Sequence, residues 1–347
     1  MAAILAAMSL LSLLAALPDV NVGNWRGEVK YEIWMPGSDD PIVRRAELTQ
    51  YPSGSDTLAP CEYLIVGCDD SDKSFAAYFD GNFIRFRNDK MVEWNITENP
   101  APFAGGVHRT EMYAPLLPAF VNEFFRAVES DTAYTYTVSA VDGGTIVKGS
   151  ESRRGYLMKE FEFKIGNDGS PISSEITINP GATAEQIASA TYTTLAPDTM
   201  ALTEEKLVEL FPDIFERFSA ANFTIDSLIG RHIPSFSLPS TGKSRVEHRR
   251  GEPFARPTLI VVADEPESSL IAEARLLGQG MGLIYVFDDT NAEAIMERFG
   301  QPNDNESVAF NGRSLISDCG IKELPALIYV DSEGIVEKTQ ILNKITP

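Results

Sequence analysis

Few side chains in this 347-residue chain can do nucleophilic or redox chemistry: Cys61, Cys68, Cys319 and the three histidines His108, His232 and His248. A dithiol cycle needs two sulfurs in bonding range, with Cα atoms within about 7 Å. In "CEYLIVGC", Cys61 and Cys68 flank a stretch that reads as a strand. At about 3.3 Å per residue its ends stand more than ~20 Å apart. A bridge there requires a sharp bend near Gly67; the other reading is a pair of buried free thiols. Cys319 is a single thiol, able to form a mixed disulfide but not to complete a dithiol cycle. Free cysteine otherwise packs as a small hydrophobe. No histidine has a spacing that supplies a base to a serine such as Ser268.

Other motifs are weaker. "GQGMG" (278–282) follows a helical pattern and precedes a strand, the reverse of a nucleotide loop. Acidic runs at Asp69, Asp70 and Asp72, and at Asp288 and Asp289, lack calcium-loop spacing and read as solvated turns. "NIT" (95–97), "NFT" (222–224) and "NES" (305–307) are glycosylation sequons only in a host that modifies secreted protein. No metal and no cofactor is expected.

The elements that must position these residues belong to a soluble globular chain, with 44% hydrophobic and 23% charged residues. A formal net charge of −21 argues against a nucleic-acid partner, and the basic run His248–Arg250 is too short to change that. Residues 1–17, "MAAILAAMSLLSLLAAL", are apolar and uncharged. They fit the apolar region of a secretory signal, although no Lys or Arg precedes them and Leu14 interrupts the small-residue cleavage pattern; a short anchor or buried helix is the alternative. Export to the periplasm or cell envelope is the expectation.

Residues 24–196 alternate apolar and polar positions in runs such as "WRGEVKYEIW", "EYLIVG", "TAYTYTVSAV" and "YLMKEFEFKIG", separated by turn signals including the Asp-Gly pairs at 80–81 and 142–143. One segment differs: in "APLLPAFVNEFFRAV", Leu116, Leu117, Phe120, Val121, Phe124, Phe125 and Val128 recur at helical spacing. An antiparallel, half-barrel-like sheet with a helix in its concave face resembles the carriers of outer-membrane lipoproteins, as does "AAYFDGNFIRFRNDKMVEWN". That resemblance implies a groove for a lipid or acyl chain; the alternative is a hollow filled by its own side chains.

Residues 197–229 read as a helical connector, with Thr203 as cap, Glu204 and Glu205 in the first turn, and Pro212 bending or splitting the helix. From residue 230 strands and helices alternate. "PTLIVVA" is a buried central strand, "DEPESSLIAEARLLGQG" a helix with Pro266 at its first position, "GLIYVFDD" a strand, "NAEAIMERFG" a helix and "ALIYVDSEGIVEKTQIL" a closing hairpin. With the Pro-x-Phe-x-Leu of "GRHIPSFSLPSTGKS" and the "ELPA" before the hairpin, residues 230–347 resemble the thioredoxin-like fold of envelope thiol-disulfide oxidoreductases and peroxiredoxins. The fold class expected is thus α+β in two domains, an antiparallel sheet followed by an α/β thioredoxin-like domain.

The resemblance implies where a Cys-x-x-Cys pair would sit: after the central strand, at the helix N-terminus whose amides favour a thiolate. Here Glu265 and Ser268 occupy those two places, and no thiol is available. The resemblance also implies a cis proline at Pro325, with the backbone of Leu324 pairing an extended peptide through main-chain hydrogen bonds that need no sulfur. The expected function is a non-catalytic envelope binding or adaptor protein, its partner an extended polypeptide or envelope protein. The competing expectation is a thiol-disulfide oxidoreductase or peroxidase-like enzyme acting through Cys319 alone.

Overall fold

The computed structural model describes residues 16–52, 59–68, 73–95, 112–241 and 244–342. Most of the segment 1–17, His108, the acidic run at 69–72 and most of the sequon at 95–97 lie outside the described residues. The chain forms two compact units, one of residues 1–87 and 92–210, the other of residues 88–91 and 211–347.

The first unit is built on an antiparallel sheet. Its strands are β1 (Trp25–Trp34), β2 (Ile42–Pro52), β3 (Cys61–Gly67), β4 (Phe75–Phe79), β5 (Asn82–Arg87), β6 (Lys90–Asn95), β7 (Tyr134–Val141), β8 (Gly144–Arg153), β9 (Tyr156–Gly166), β10 (Pro171–Ile178) and β11 (Gln186–Leu195). The order is β6-β5-β4-β3-β2-β1-β11-β10-β9-β8-β7, so the first and last strands meet in the middle, with Val29 opposite Tyr192. Tight hairpins make the neighbours. Asp80 and Gly81 both take positive φ (44° and 73°), the backbone twist a two-residue hairpin turn prefers.

Between β6 and β7 a short turn (Ala114–Leu116) leads into helix α1 (Pro118–Ser130). Leu116, Leu117 and Phe120 pack with Trp25, Val29, Leu48, Tyr63 and Tyr78, while Val121, Phe125 and Val128 pack with Val147, Phe161, Phe163 and Ile165. Successive sheet residues in these groups are two apart along their strands, so they share one face. Pro118 at the first helical position lacks an N–H, and the next amide, Ala119, donates to Oε1 of the fully buried Gln50 at 2.8 Å. Helix α2 (Glu204–Leu210) ends the unit, with the Lys206 amide donating to Thr203 Oγ1 at 3.2 Å.

The second unit begins with α3 (Pro212–Phe218); Phe211 precedes Pro212 with non-helical φ −132°, ψ 50°, which separates α3 from α2. A hairpin, β12 (Phe236–Pro239) with β13 (Arg245–His248), precedes the main sheet. That sheet holds β14 (Thr258–Ala263), β15 (Gly282–Phe287), β16 (Glu306–Ala309), β17 (Ala326–Val330) and β18 (Val336–Ile341) in the order β16-β15-β14-β17-β18. β14 runs parallel to β15 and antiparallel to β17, and all six of its residues are buried, which explains the apolar run Leu259–Ala263 that follows Thr258. Helices α4 (Ser268–Leu277), α5 (Ala292–Phe299) and α6 (Arg313–Asp318) connect the strands. Leu270, Ile271 and Ala274 of α4, with Ile295 and Phe299 of α5, pack against Leu259, Val261, Tyr285 and Phe287.

Candidate functional site

The site is set by the register of two strands. Val262 pairs with Ala326, so the next residues in line are Ala263 with Pro325 and Asp264 with Leu324. The thiol-free segment and the Leu324–Pro325 bond, which is cis, therefore lie side by side at one end of β14. Pro325 O accepts from the Leu342 amide at 2.9 Å. Among the described residues the N–H and C=O of half-buried Leu324 have no hydrogen-bond partner.

After Ala263 the chain is exposed at Asp264, Glu265 and Glu267, with Pro266 turned inward. Helix α4 starts later than the sequence suggests. Pro266 is not its first residue, because Glu267 is extended (φ −94°, ψ 133°) and serves as N-cap, leaving Ser268 as the first helical position. The Glu267 carbonyl accepts from the Ile271 amide at 3.0 Å, while its side chain makes no cap bond. Carboxylates at 264, 265 and 267 complement the positive end of the helix. Glu265 is bonded by the guanidinium of Arg298, from the last turn of α5. No sequence signal marked Arg298, which comes to Glu265 only through the packing of α4 beside α5.

Cys319 caps α6 and is fully buried. Burial, with Asp318 adding like charge, pushes its thiol pKa up, so the thiolate that a nucleophile needs is disfavoured. Cys61 and Cys68 are both free; the interior of their segment is strand β3, and no bend brings them together. Cys61 is buried and its thiol likewise pushed up, but Cys68 is exposed, correcting the reading of two buried thiols. It sits one residue past the strand, where its amide donates to Arg45 O at 3.0 Å. His248 stacks on Phe254 (4.2 Å, 6° between planes), and burial lowers its pKa. Among the described residues no three His, Cys, Asp or Glu side chains gather as a metal site, and no helix is long and apolar enough to cross a membrane.

The chain is similar in structure to thiol-disulfide oxidoreductases and peroxiredoxin-like proteins of the thioredoxin fold, over about a third of its length. A thiol-disulfide oxidoreductase from Bacteroides fragilis is 15% identical, matching 33% of this chain and 93% of its own, with a TM-score of 0.28. A thiol peroxidase from Chromobacterium violaceum is 22% identical over 33% and 75% (TM-score 0.27). A peroxiredoxin-like protein from Aquifex aeolicus is 16% identical over 33% and 75% (TM-score 0.27). No protein-family profile matches the chain, and no curated protein matches it.

Proposed function

We propose that the chain is a non-catalytic binding or adaptor protein, exported to the cell envelope, whose second unit holds an extended polypeptide without exchanging electrons. The observation that carries this reading is the composition of the segment beside Leu324–Pro325: Asp264 to Ser268 contains no sulfur. Carboxylates cannot form or break a disulfide. The main-chain groups of Leu324 remain suited to pairing with one strand of a partner, which needs backbone hydrogen bonds alone. The buried, high-pKa thiol of Cys319 weighs against the single-cysteine oxidoreductase.

The rest of the reading is a two-domain division: residues 1–17 as signal or anchor, 24–196 as a lipoprotein-carrier-like domain, 197–229 as connector and 230–347 as thioredoxin-like. In it α1 lies in the concave face of the sheet and an apolar ligand shares that hollow. The packing of α1 on strands from both halves of the sheet supports the placement of the helix.

Insulin reduction with a dithiol donor tests the central claim. No turnover above background is expected; clear turnover that vanishes in Cys319→Ser would establish the enzyme instead.

A further inference from the structure

His248, at the end of β13, is an ionisable ring in an apolar setting. Only 5% of it is exposed. Besides stacking on Phe254 it pairs with Phe236 across the β12–β13 hairpin, ring centres 5.7 Å apart. A second imidazole comes to the same place. A methyl group built on Gly334, in the β17–β18 turn, would stand 3.7 Å from both His232 Nδ1 and His248 Cε1. His232 is fixed there by its antiparallel bridge to Ile335 and by the Ile233 amide, which donates to Gly334 O at 2.9 Å. Among the described residues neither His232 Nδ1 nor His248 Nε2, both buried, has a hydrogen-bond partner.

This arrangement tolerates a neutral ring and opposes a charged one. An imidazolium donates from both nitrogens. On His248 the Nε2–H would find no acceptor, and a buried charge without its hydrogen bonds is costly. Of the charged groups that act on the ring, the Glu252 carboxylate favours the protonated form and His232, once protonated, opposes it. Glu252 is exposed, as are Glu247 and Arg249, which line the same depression beside His248 with Ser235 and Ser237. Burial outweighs Glu252 and holds the His248 pKa below its ordinary 6.5.

What the ring holds down is the cover of a sheet edge. β16 is the outermost strand of the main sheet. The end of the hairpin closes it: Pro239 O accepts from the Phe310 amide at 2.9 Å, Ser240 Oγ donates to Val308 O at 2.7 Å, and Ser240 stands opposite Ala309. An uncovered edge presents backbone groups that pair with an incoming strand.

We propose that His248 is an acid-released latch: taking up a proton from solvent, it frees the β12–β13 hairpin from Phe254 and Gly334 and uncovers the edge of β16. The latch does not rest on the peptide reading of Leu324–Pro325. Its sign follows from linkage. The open form takes the proton at the ordinary value and the closed form only at lower pH, so closure is complete above about 6.5 and weakens as pH falls below it.

Amide exchange of the full chain at pH 7.5 and 5.5, each rate divided by the intrinsic rate at that pH, tests the latch. The Phe310 and Arg250 amides, which donate to Pro239 O and Ser235 Oγ, report the hairpin, and the amide of Val261 in β14 reports the core. Protection at Phe310 and Arg250 should drop about five- to tenfold at the lower pH, the range open to one proton, while Val261 holds. His248→Phe keeps a ring to stack on Phe254 and should abolish the drop. Glu252→Gln, at an exposed position, removes the charge that favours the imidazolium and should enlarge it. The latch is overturned if protection at Phe310 and Arg250 is the same at both pH values, or if Val261 loses protection in parallel, which is unfolding of the whole unit. A drop that survives His248→Phe, or that shrinks in Glu252→Gln, overturns it as well.

Discussion

Arg298 bonds the carboxylate of Glu265, tying the end of α5 to the loop that enters α4. Both groups are more than half exposed, so the pair adds little stability. Its consequence is electrostatic: a guanidinium stands beside residue 265, one of the two positions proposed to replace redox cysteines. Glu265→Cys/Ser268→Cys, at Cys-x-x-Cys spacing, should therefore oxidise to an intramolecular disulfide. The reduced thiol at 265 should titrate below the ordinary value of about 8.5, favoured by Arg298 and the helix N-terminus. Iodoacetamide rates against pH give that titration. Failure to oxidise would mean that the two positions are not within disulfide reach.

Thiol counting gives a second test. Cys61 and Cys319 are fully buried and Cys68 is exposed. A maleimide should label one thiol per native chain within minutes and all three in denaturant, with Cys68→Ser abolishing native labelling. Rapid native labelling at Cys319 would restore the single-cysteine enzyme as the better reading.

What was legible in the sequence followed from strong periodicity and turn chemistry. β14 announced itself by five consecutive buried apolar residues, Leu259–Ala263, and the Asp80–Gly81 turn by a residue pair that its positive-φ backbone readily accepts. The stripe of α1 marked a helix correctly, though its first residues form a separate tight turn because Leu117 is extended. The short strands were not legible. β16 and β13 have four residues each, and Glu306–Ala309 and Arg245–His248 carry too little alternation to separate from loop. The start of α4 was misplaced because Pro266 suits a first helical position, while the extended Glu267 delays the helix. Arg298–Glu265 was invisible because it joins residues far apart in sequence.

Glu306 carries a pH dependence. Its carboxylate is fully buried and receives Arg275 Nε and Nη2 at 2.7 and 2.8 Å and the Asn303 amide at 2.7 Å. The Arg275 bonds hold its pKa below the ordinary 4.5, outweighing burial. A depressed folded pKa means the stabilisation is fully present above the unfolded value and is lost as pH falls through the folded one. Urea unfolding followed by circular dichroism should show stability declining below about pH 4.5. Glu306→Gln should cost about 2 kcal/mol at pH 7, less than a wholly buried pair because Arg275 is part-exposed, and should flatten the acid decline. An equal loss at pH 7 and pH 3 would show that the charge is not what matters.

Gln50 is the polar group on which the seating of α1 depends. Its Nε2 donates to Asn21 O at 3.1 Å and Gly23 O at 2.8 Å, while its Oε1 receives the Ala119 amide at 2.8 Å. All its hydrogen-bonding directions but one acceptor lone pair are used, inside a site with no exposure. Gln50→Leu keeps the volume but leaves two carbonyls and a helix-end amide without partners. The expected cost is about 2–4 kcal/mol, since each orphaned buried group forfeits its desolvation. Gln301→Leu, at an exposed position, should change stability by less than about 0.5 kcal/mol. Amide exchange at Ala119 separates mechanisms. It should accelerate strongly in Gln50→Leu while amides in the middle of α1 slow or hold, because the first turn alone loses its acceptor; uniform acceleration along α1 would instead mean that the helix is held by packing and that Gln50 does not anchor its start.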